Sequence, residues 1–488
     1  MSTKIVIDPV TRIEGHGKVV IELDDHHNVV DAKLHVVEFR GYEKFIQGHP
    51  FWEAPVLMQR ICGICFVSHH LAGAKVVDDI VGVGAPSGLA LTPTAVKMRR
   101  LGHYAQMLQS HVTAYFYLVV PEMLFGMDAP PEQRNVLGLI EANPDLVKRV
   151  VALRKWGQEV IKAVFGKRMH GISSVPGGVN KSLTAAEVDG FLRGRDGLLS
   201  VDSVIEYAQL GLELFEDFHD KHRAQVDGFA KVAALNMCLV DGEGNVDYYD
   251  GTLRVVDGDK DIVREFDYHD YLGQISEGVE KWSYMKFPFL TDLGREAGSV
   301  RVGPLARLNV TGSLSTPLAQ QALEKFHAYT GGRANDMTLH TNWARTIEII
   351  HAAEVVRDLL LDPDLQKHDL VVTPPADAWT GEGVGVVEAP RGTLLHHYRA
   401  DREGKVTFAN LIVATTQNNQ VLNRTVLSVA QDYLGGQAEI TEAMMNAVEV
   451  GIRAYDPCLS CATHALGQMP LVVSVIDATG RVVSERVR

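Results

Sequence analysis

The sequence predicts a mainly helical α+β protein with a central bundle of long helices, a small N-terminal antiparallel sheet and peripheral β-hairpins. Two observations indicate this fold class. Apolar residues recur at helical spacing over several long stretches, and the N-terminal part of the chain alternates apolar and polar side chains as strands do. The long helical stretches are 94–118, 145–165, 201–229 and 339–361.

The remaining elements can be placed in chain order. Three β-like runs open the chain: K-I-V-I, K-V-V-I-E-L and V-V-D-A-K-L-H-V-V-E-F. A helical pattern over 53–81 places the first cysteine pair at or near a helix start. Residues 234–266 alternate short β-like runs with D-G and E-G-N turns, which indicates an inserted β-rich segment. Residues 384–416 are typical of strands around a D-R-E-G-K turn, and two short helices are predicted before Cys458.

The composition is that of an ordinary globular protein: 488 residues, 46% hydrophobic and 22% charged. Length alone suggests about three domains at roughly 150 residues each, but no low-complexity run, spacer or repeat separates them. We therefore expect residues 1–464 to form one domain. The net charge of −14, from 47 basic and 61 acidic residues, disfavours nucleic acid and anionic membranes as partners.

Two stretches bear on location. The opening residues, M-S-T-K-I-V-I-D-P-V, have no apolar core of a signal peptide. Residues 101–121 carry no charge but include several His, Gln and Ser, which predicts a buried core helix and not a membrane span. We expect a cytoplasmic protein.

Two Cys-x-x-Cys pairs use four of the five cysteines. Cys62 and Cys65 lie in R-I-C-G-I-C-F-V-S-H, and Cys458 and Cys461 lie in D-P-C-L-S-C-A-T-H. Thiolates are soft donors, and four that converge make a metal site. The fold should therefore bring the two ends of the chain together.

Structural zinc is the main alternative for these cysteines, although zinc ribbons keep their two pairs within about 15–20 residues of each other. Disulfides are disfavoured because the cysteines are few and odd in number. A thioredoxin-like site would need a single pair near a βαβ pattern. The flanking residues favour a redox metal, since such groups orient and tune thiolates: Arg60 and Asp456 precede the pairs, and His69 and His464 follow them.

Further motifs accompany the cysteine pairs: V-T-R-I-E-G-H-G, F-R-G-Y-E, E-A-P-R-G and A-T-T-Q-N. Together with R-x-C-G-x-C-x-x-x-H and D-P-C-x-x-C-x-x-H, and in this order, they resemble the large, catalytic subunit of nickel–iron hydrogenases. The resemblance covers essentially the whole chain. The chain length and the residues around the motifs are most similar to those of the soluble, NAD-reducing branch.

The resemblance implies heterolytic splitting of dihydrogen at a nickel–iron centre whose iron carries carbon monoxide and cyanide. Cys62, Cys65, Cys458 and Cys461 would bind nickel, and Cys65 and Cys461 would also bridge to the iron. Glu14 is then the candidate for the first proton carrier, receiving its proton from Cys458. A glutamate that caps a turn is the alternative for Glu14.

The E-A-P-R-G and A-T-T-Q-N motifs supply further predicted site residues. Arg391 resembles the arginine that lies over the open metal position, where an always charged fork can donate hydrogen bonds. Pro390, Thr415 and Thr416 would line the pocket of the diatomic ligands. A surface hairpin arginine and ordinary strand threonines are the alternatives.

The remaining predicted residues support the centre or a second ion. His69 resembles a donor to a bridging sulfur, with a satisfied core histidine as the alternative, and Asp456 is expected to orient Arg391 or a neighbouring backbone. Glu43, His464 and the Leu411 carbonyl match positions that hold a magnesium ion in relatives.

Two residues and the C-terminal segment lie outside these motif roles. Ser110 stands where many relatives carry the aspartate of a His-Asp-His stretch, and Cys238, outside every motif, is predicted to be core. The resemblance implies that 465–488 is a C-terminal extension, removed by an endopeptidase after loading with the help of a maturation chaperone. We expect it to form a β-hairpin that pairs with the N-terminal sheet and holds the Cys458 pair away until loading.

The sequence also indicates partners. No credible dinucleotide fingerprint or P-loop is present, and no cysteines remain for an iron–sulfur cluster. Electrons would therefore leave through a cluster-bearing small subunit to diaphorase subunits that bind FMN and NAD. The alternatives are a hydrogenase that serves a deazaflavin or ferredoxin-type acceptor, a metal-free coupling subunit of the respiratory-complex type, and a structural zinc protein.

Overall fold

The computed structural model describes residues 3–84, 88–195, 197–375, 377–463, 472–476 and 482–487. Helices predominate and the strands fall into several small sheets, so the predicted α+β class is confirmed. The α-helices are α1 (Tyr42–Phe45), α2 (Ala54–Met58), α3 (Phe66–Ile80), α4 (Pro93–Thr113), α5 (Val120–Phe125), α6 (Val136–Ala142), α7 (Pro144–Phe165), α8 (Ala185–Arg193), α9 (Val201–Gly228), α10 (Tyr271–Gln274), α11 (Gly294–Gly298), α12 (Pro304–Val310), α13 (Pro317–Tyr329), α14 (His340–Leu361), α15 (Ala414–Gln417), α16 (Asn419–Leu434) and α17 (Glu442–Ala454).

Small sheets and hairpins surround the helices. The strands are β1 (Thr3–Ile7), β2 (Gly17–Leu23), β3 (Val29–Val36), β4 (Ser174–Val175), β5 (Gly178–Val179), β6 (Leu235–Val240), β7 (Thr252–Val256), β8 (Ile262–Phe266), β9 (Ile275–Glu280), β10 (Ser283–Leu290), β11 (Val300–Arg301), β12 (Glu382–Ala389), β13 (Gly392–Ala400), β14 (Val406–Ile412), β15 (Val472–Ile476) and β16 (Val482–Val487). β1–β3 form an antiparallel sheet, β6–β8 form an antiparallel sheet that β11 joins in parallel beside β6, and β12–β14 form an antiparallel meander.

Four long helices pack against one another. α4 contacts both α7 and α14, and α14 also contacts α9. Helix signals at the ends explain the bounds of α7: Asn143 caps its N-terminus, Pro144 occupies the first turn, and Gly166 ends it in a left-handed conformation with φ 79°. α14 is buried over most of its circumference, as expected for a helix without a polar face.

The stretch predicted as one helix over 94–118 changes its geometry near the end. α4 stops at Thr113, and residues 114–119 continue as a π-helix before α5 begins. Pro121 lies in the first turn of α5 and lacks the N–H that a continuous α-helix would need, which accounts for the adjustment. Among the described helices, none is long and apolar enough to cross a membrane.

Two expectations near the C-terminus are wrong. The helices before Cys458 are not short, because α16 and α17 have 16 and 13 residues. The tail does form a hairpin, but β15 and β16 pair with each other, and no strand of the N-terminal sheet pairs with them among the described residues.

One large hydrophobic core contains side chains from both ends of the chain. Its members come from the N-terminal sheet, the long helices and α16–α17, and they include the four paired cysteines. Cys238 is fully buried in a small separate cluster beneath β6, in line with its predicted core role. The fold therefore places the two Cys-x-x-Cys pairs inside the protein and next to each other.

Candidate metal centre

The first cysteine pair lies at the start of α3. Cys62 follows a short 3-10 helix in extended conformation, and Cys65 is the N-cap residue of α3. The backbone N–H groups of Ile64 and Cys65 donate to Cys62 Sγ at 3.2 and 3.1 Å. The two backbone donors fix the position of the Cys62 sulfur at the start of the helix that Cys65 caps.

The second pair follows α17. The chain turns at Asp456, which has a left-handed φ of 50° that aspartate tolerates better than most residues, and Leu459–Cys461 form a 3-10 turn. Cys458 Sγ lies 3.6 Å from Cys62 Sγ, and Cys461 Sγ lies 3.5 Å from Cys65 Sγ.

The four sulfur atoms therefore form one compact cluster. All four lie within 4.8 Å of one another and are buried, with Cys458 and Cys461 2.8 Å apart. That the tail holds the Cys458 pair away until loading stays a prediction. Hydrogen bonds from the other three thiols, first Cys458, hold the pKa of Cys65 well below its usual range against the effect of burial. Burial raises the pKa of the Cys458 and Cys461 thiols.

Glu14 contacts the cluster directly. Cys458 Sγ lies 3.0 Å from Glu14 Oε2, which also accepts the Ser460 N–H at 3.1 Å. The backbone is fixed as well, because the Leu459 N–H donates to the Glu14 carbonyl at 3.0 Å. Gly15 permits this approach: its φ is 84°, and a Cβ there would lie 2.8 Å from Leu459 Cβ.

Arg391 and Asp456 form a buried ion pair beside the sulfurs. Arg391 Nε donates to the Asp456 carbonyl at 2.5 Å, and Nη2 lies 2.9 Å from the Asp456 carboxylate. Burial opposes the charge of Arg391, but Asp456 and then Cys458, Cys65 and Cys62 hold its pKa well above its ordinary value. Its Nη1 is buried and has no hydrogen-bond partner within the described part of the chain.

The predicted pocket residues surround the second pair. Thr415 Oγ1 accepts the Cys458 N–H at 3.0 Å, and Thr416 Oγ1 lies 3.4 Å from the Ala462 carbonyl, to which it donates. Pro390 is buried immediately before Arg391, at the tip of the β12–β13 hairpin. The hydroxyls thus fix the backbone that carries the cysteines.

His69 belongs to a buried chain of side chains next to the first pair. Its imidazole is among the groups that lower the pKa of the Cys65 thiol, after the other cysteines. His69 Nδ1 lies 3.0 Å from His396 Nε2, and His396 Nδ1 lies 2.5 Å from the Tyr398 hydroxyl. The chain fixes the plane of the His69 ring.

The predicted magnesium residues are only partly described. Glu43 Oε1 accepts the Leu411 N–H at 2.9 Å and lies 3.3 Å from the Lys286 ammonium, so one cation already faces this carboxylate. The Thr463 carbonyl accepts the Arg40 N–H at 3.1 Å, which brings the segment after the second cysteine pair near Glu43. His464 lies outside the described residues, so the magnesium site stays a prediction.

A second group of potential ligands is better explained by hydrogen bonds. His219, Asp227 and His340 have ligand atoms within 4.8 Å of one another. Asn335 accepts the Met337 N–H through its oxygen, so its amide nitrogen donates to His340 Nδ1 at 2.8 Å. The proton of His340 is therefore on Nε2 and points at Asp227, whereas a metal there would need that nitrogen free.

The sulfur cluster suits a soft transition metal. It offers four buried thiols, an adjacent carboxylate in Glu14, and an arginine whose Nη1 has no partner among the described residues. A structural zinc site needs neither of these additional groups. The donor set therefore fits nickel and iron.

Comparison with known proteins decides the family. A model described as nickel-dependent hydrogenase matches residues 40–121 and 220–464, and a HoxL-like model matches residues 4–39. The chain belongs to the nickel-dependent hydrogenase family. It is 79% identical to the NAD-reducing hydrogenase HoxS subunit beta of Cupriavidus necator over 488 residues, which is 100% of both chains. It is 40% identical to an F420-non-reducing hydrogenase chain of Methanothermobacter thermautotrophicus, covering 98% of this chain and 99% of that one.

Solved structures agree with this hydrogenase assignment. A crystal structure of an NAD+-reducing NiFe-hydrogenase in the H2-reduced state superposes with a TM-score of 0.90 at 44% identity, covering 95% of this chain and 99% of that one. The Ni-Fe-Se hydrogenase of D. vulgaris Hildenborough superposes with a TM-score of 0.73 at 22% identity, covering 95% and 100% of the two chains, which shows a shared fold.

Sequence reasoning missed a group of buried charges behind Arg391: Arg307, Glu348 and Glu388. A signal was available, because P-L-A-R-L-N-V and I-E-I-I-H each place a charge inside an otherwise apolar helical run. Ser110, in the place of an expected aspartate, is buried, and its hydroxyl has no partner in the described ranges.

Proposed function

We propose that this chain is the catalytic large subunit of a nickel–iron hydrogenase that splits H2 and passes the electrons through partner subunits to NAD. The observation that carries the proposal is the buried cluster of four sulfurs within 4.8 Å, in contact with Glu14 and lying beside Arg391. The relative from Cupriavidus necator, 79% identical over the full length, supports NAD as the acceptor.

Cys62, Cys65, Cys458 and Cys461 would hold the nickel. Cys65 and Cys461, whose sulfurs lie 3.5 Å apart, would also hold an iron with carbon monoxide and cyanide ligands. When bound, such a centre supplies the Lewis acidity that polarises H2 for heterolytic cleavage. Thr415 and Thr416 would keep the second pair in place through the backbone, and Pro390 would form part of the pocket wall.

Glu14 would remove the proton. Its Oε2 lies 3.0 Å from Cys458 Sγ, within reach of a direct transfer from that sulfur. The Ser460 N–H holds the same oxygen in place, so the carboxylate does not have to reorganise. A half-buried position lets Glu14 hand the proton on toward the protein surface.

Arg391 would act by position and charge. Asp456 binds Nε and Nη2 of its guanidinium, so the buried Nη1, which has no partner among the described residues, would be the group left for the centre. A fixed cation there can donate a hydrogen bond to a cyanide ligand and keep the cavity polarised. His69 would donate a hydrogen bond to the Cys65 sulfur. Glu43, Leu411 and His464 remain our proposed magnesium ligands.

A small subunit with an iron–sulfur cluster would take the electrons, and diaphorase subunits would bind FMN and NAD. The surface near the first cysteine pair suits such a partner: Phe39 and Phe45 line one depression and are 43% and 49% exposed, and Tyr42 between them donates to the Arg60 carbonyl. Met169, half exposed, lies over Gly63 between the two cysteines. Apolar side chains exposed so close together mark an interaction site.

The four packed long helices support our interpretation of a central bundle with the N-terminal sheet at its side. We also propose that residues 1–464 are the mature domain, and that 465–488 are removed by an endopeptidase after a chaperone-assisted loading step. Because NAD would be the acceptor, we place the enzyme in the cytoplasm.

H2-dependent reduction of NAD+ by the complex purified from its native cells tests the proposal. We expect NADH to form under H2 and not under argon. Reduction of an artificial viologen dye without NADH would refute NAD as the acceptor and return the deazaflavin and ferredoxin-type alternatives. Failure to reduce either acceptor by nickel-loaded protein would refute the hydrogenase function.

A further inference from the structure

Arg391 lies at the tip of a two-residue hairpin. Ala389 and Gly392 pair at the ends of β12 and β13, so only Pro390 and Arg391 form the turn. Hairpin tips are ordinarily exposed and mobile. This tip is buried, and its arginine is only 5% exposed.

A second arginine, Arg307 on α12, holds the tip from behind. Its Nη1 donates to the Ala389 carbonyl at 3.0 Å, and its Nη2 donates to the Pro390 carbonyl at 3.1 Å. Its remaining N–H groups bind Glu348, through Nε at 2.6 Å and Nη2 at 2.7 Å, and Glu388, through Nη1 at 2.9 Å. All five donors of the guanidinium are therefore used.

The two carboxylates are themselves fixed. Glu348 accepts the Tyr248 hydroxyl at 2.9 Å, and Glu388 accepts the Thr393 hydroxyl at 2.6 Å and the Leu239 N–H at 3.1 Å. The side chains of Arg307 and Glu388 are 0% exposed and that of Glu348 is 1% exposed. Such a group is rigid, because any displacement would leave a buried charge unpaired.

Close backbone packing adds to the restraint. A Cβ at Gly303, whose φ is 98°, would lie 2.7 Å from the Arg391 carbonyl, and a Cβ at Gly392 would lie 2.6 Å from the Gly303 nitrogen. Since Gly303 is the N-cap residue of α12, the helix that carries Arg307 directly touches the hairpin tip.

We propose that Arg307 is a positioning residue for the reaction: it fixes the Ala389–Pro390 carbonyls and so sets the orientation of the Arg391 guanidinium toward the four cysteines. This inference rests on the proposed hydrogenase function. Lysine cannot replace Arg307, because one ammonium with three N–H groups cannot reach two carboxylates and two carbonyls together. Arg307 does not itself touch the sulfurs; it acts through the backbone of the hairpin.

The test is Arg307→Lys in the complete, metal-loaded complex, with Arg99→Lys as the matched control. Arg99 is also 0% exposed and pairs with a buried carboxylate, Asp78, and with the Gly178 carbonyl. Nickel content, the infrared bands of metal-bound cyanide and the kinetics of H2 oxidation are compared. Arg307→Lys should keep its nickel, shift the cyanide bands, and lower kcat and kcat/KM together by roughly up to 100-fold, the cost of a small misplacement in a catalytic site.

The control should keep the wild-type bands and kcat. Equal behaviour of the two variants, with unshifted cyanide bands, would overturn the positioning role. If Arg307→Lys does not assemble, the triple variant Arg307→Met/Glu348→Met/Glu388→Gln removes the cation and both of its buried carboxylates together, an exchange that buried ion pairs often tolerate, and the same criteria apply. Absence of cyanide bands from the wild-type complex would instead refute the proposed function.

Discussion

Replacing Glu14 by glutamine should separate proton removal from the rest of the structure. The amide is nearly isosteric, and its oxygen can still accept the Ser460 N–H that binds Oε2 at 3.1 Å. Exchange of a charged for a neutral acceptor should therefore cost about 1 kcal/mol of stability. The group 3.0 Å from Cys458 Sγ would no longer take a proton. Loss of a general base lowers rates by about 10²–10⁴-fold, or about 2.7–5.4 kcal/mol in activation free energy.

The assay is H2 oxidation by the purified complex, followed together with exchange of H2 against D2O. Glu14→Gln should keep its nickel and the thermal midpoint of the complex, while both rates fall by at least about 100-fold. Glu14→Asp, whose side chain is one methylene shorter, should have rates between those of Glu14→Gln and the wild type. Glu22→Gln serves as the control, because Glu22 is partly exposed and pairs with Lys4 in the N-terminal sheet. Both of its rates should remain within about twofold of the wild-type rates. A Glu14→Gln variant with wild-type exchange would refute the relay.

Three further substitutions, one of them with a matched control, test the site and the core. Cys461→Ser should abolish nickel binding and activity because it removes a soft ligand, whereas Cys238→Ser, equally buried, should retain nickel by elemental analysis; nickel at wild-type level in Cys461→Ser would contradict the ligand assignment. Arg391→Lys should keep nickel but lower kcat by roughly 10²–10³-fold, and an unchanged kcat would contradict its role. Trp156→Ala, which empties a fully buried site on α7, should lower the free energy of unfolding by about 3–5 kcal/mol in denaturant titrations; a loss below about 1 kcal/mol would show that the core there rearranges.

Most of the helical fold could be read from the sequence because period and capping agree. The stretch predicted over 201–229 is Val201–Gly228, and the one over 339–361 is His340–Leu361. Residues 94–118 form a less regular element, because Pro121 acts from beyond the predicted end and draws the last turns into π geometry. The β9–β10 hairpin was not predicted: the runs I-S-E-G-V-E and S-Y-M-K-F-P-F-L include a glycine and a proline that mask their strand character.

The site was predictable only where residue type limits the chemistry. Four thiols in two spaced pairs imply a metal, and motif order tied Glu14 and Arg391 to it. The buried ion pairs of Arg307 with Glu348 and Glu388 could not be predicted. The three residues lie on separate elements, and no local sequence pattern links them. The predicted pairing of the tail with the N-terminal sheet was wrong. Alternating strand residues indicate that a hairpin forms, but they do not indicate which other strand it pairs with.

Whether the four cysteines hold a nickel–iron centre is tested most directly by the infrared spectrum of the complex, purified with its partners from nickel-grown cells. We expect sharp bands from metal-bound carbon monoxide and cyanide, lost in Cys461→Ser and kept in Cys238→Ser. Their absence from protein trimmed after residue 464 and shown to contain metal would contradict the nickel–iron assignment, and stoichiometric zinc in the same sample would identify the cluster as a structural site.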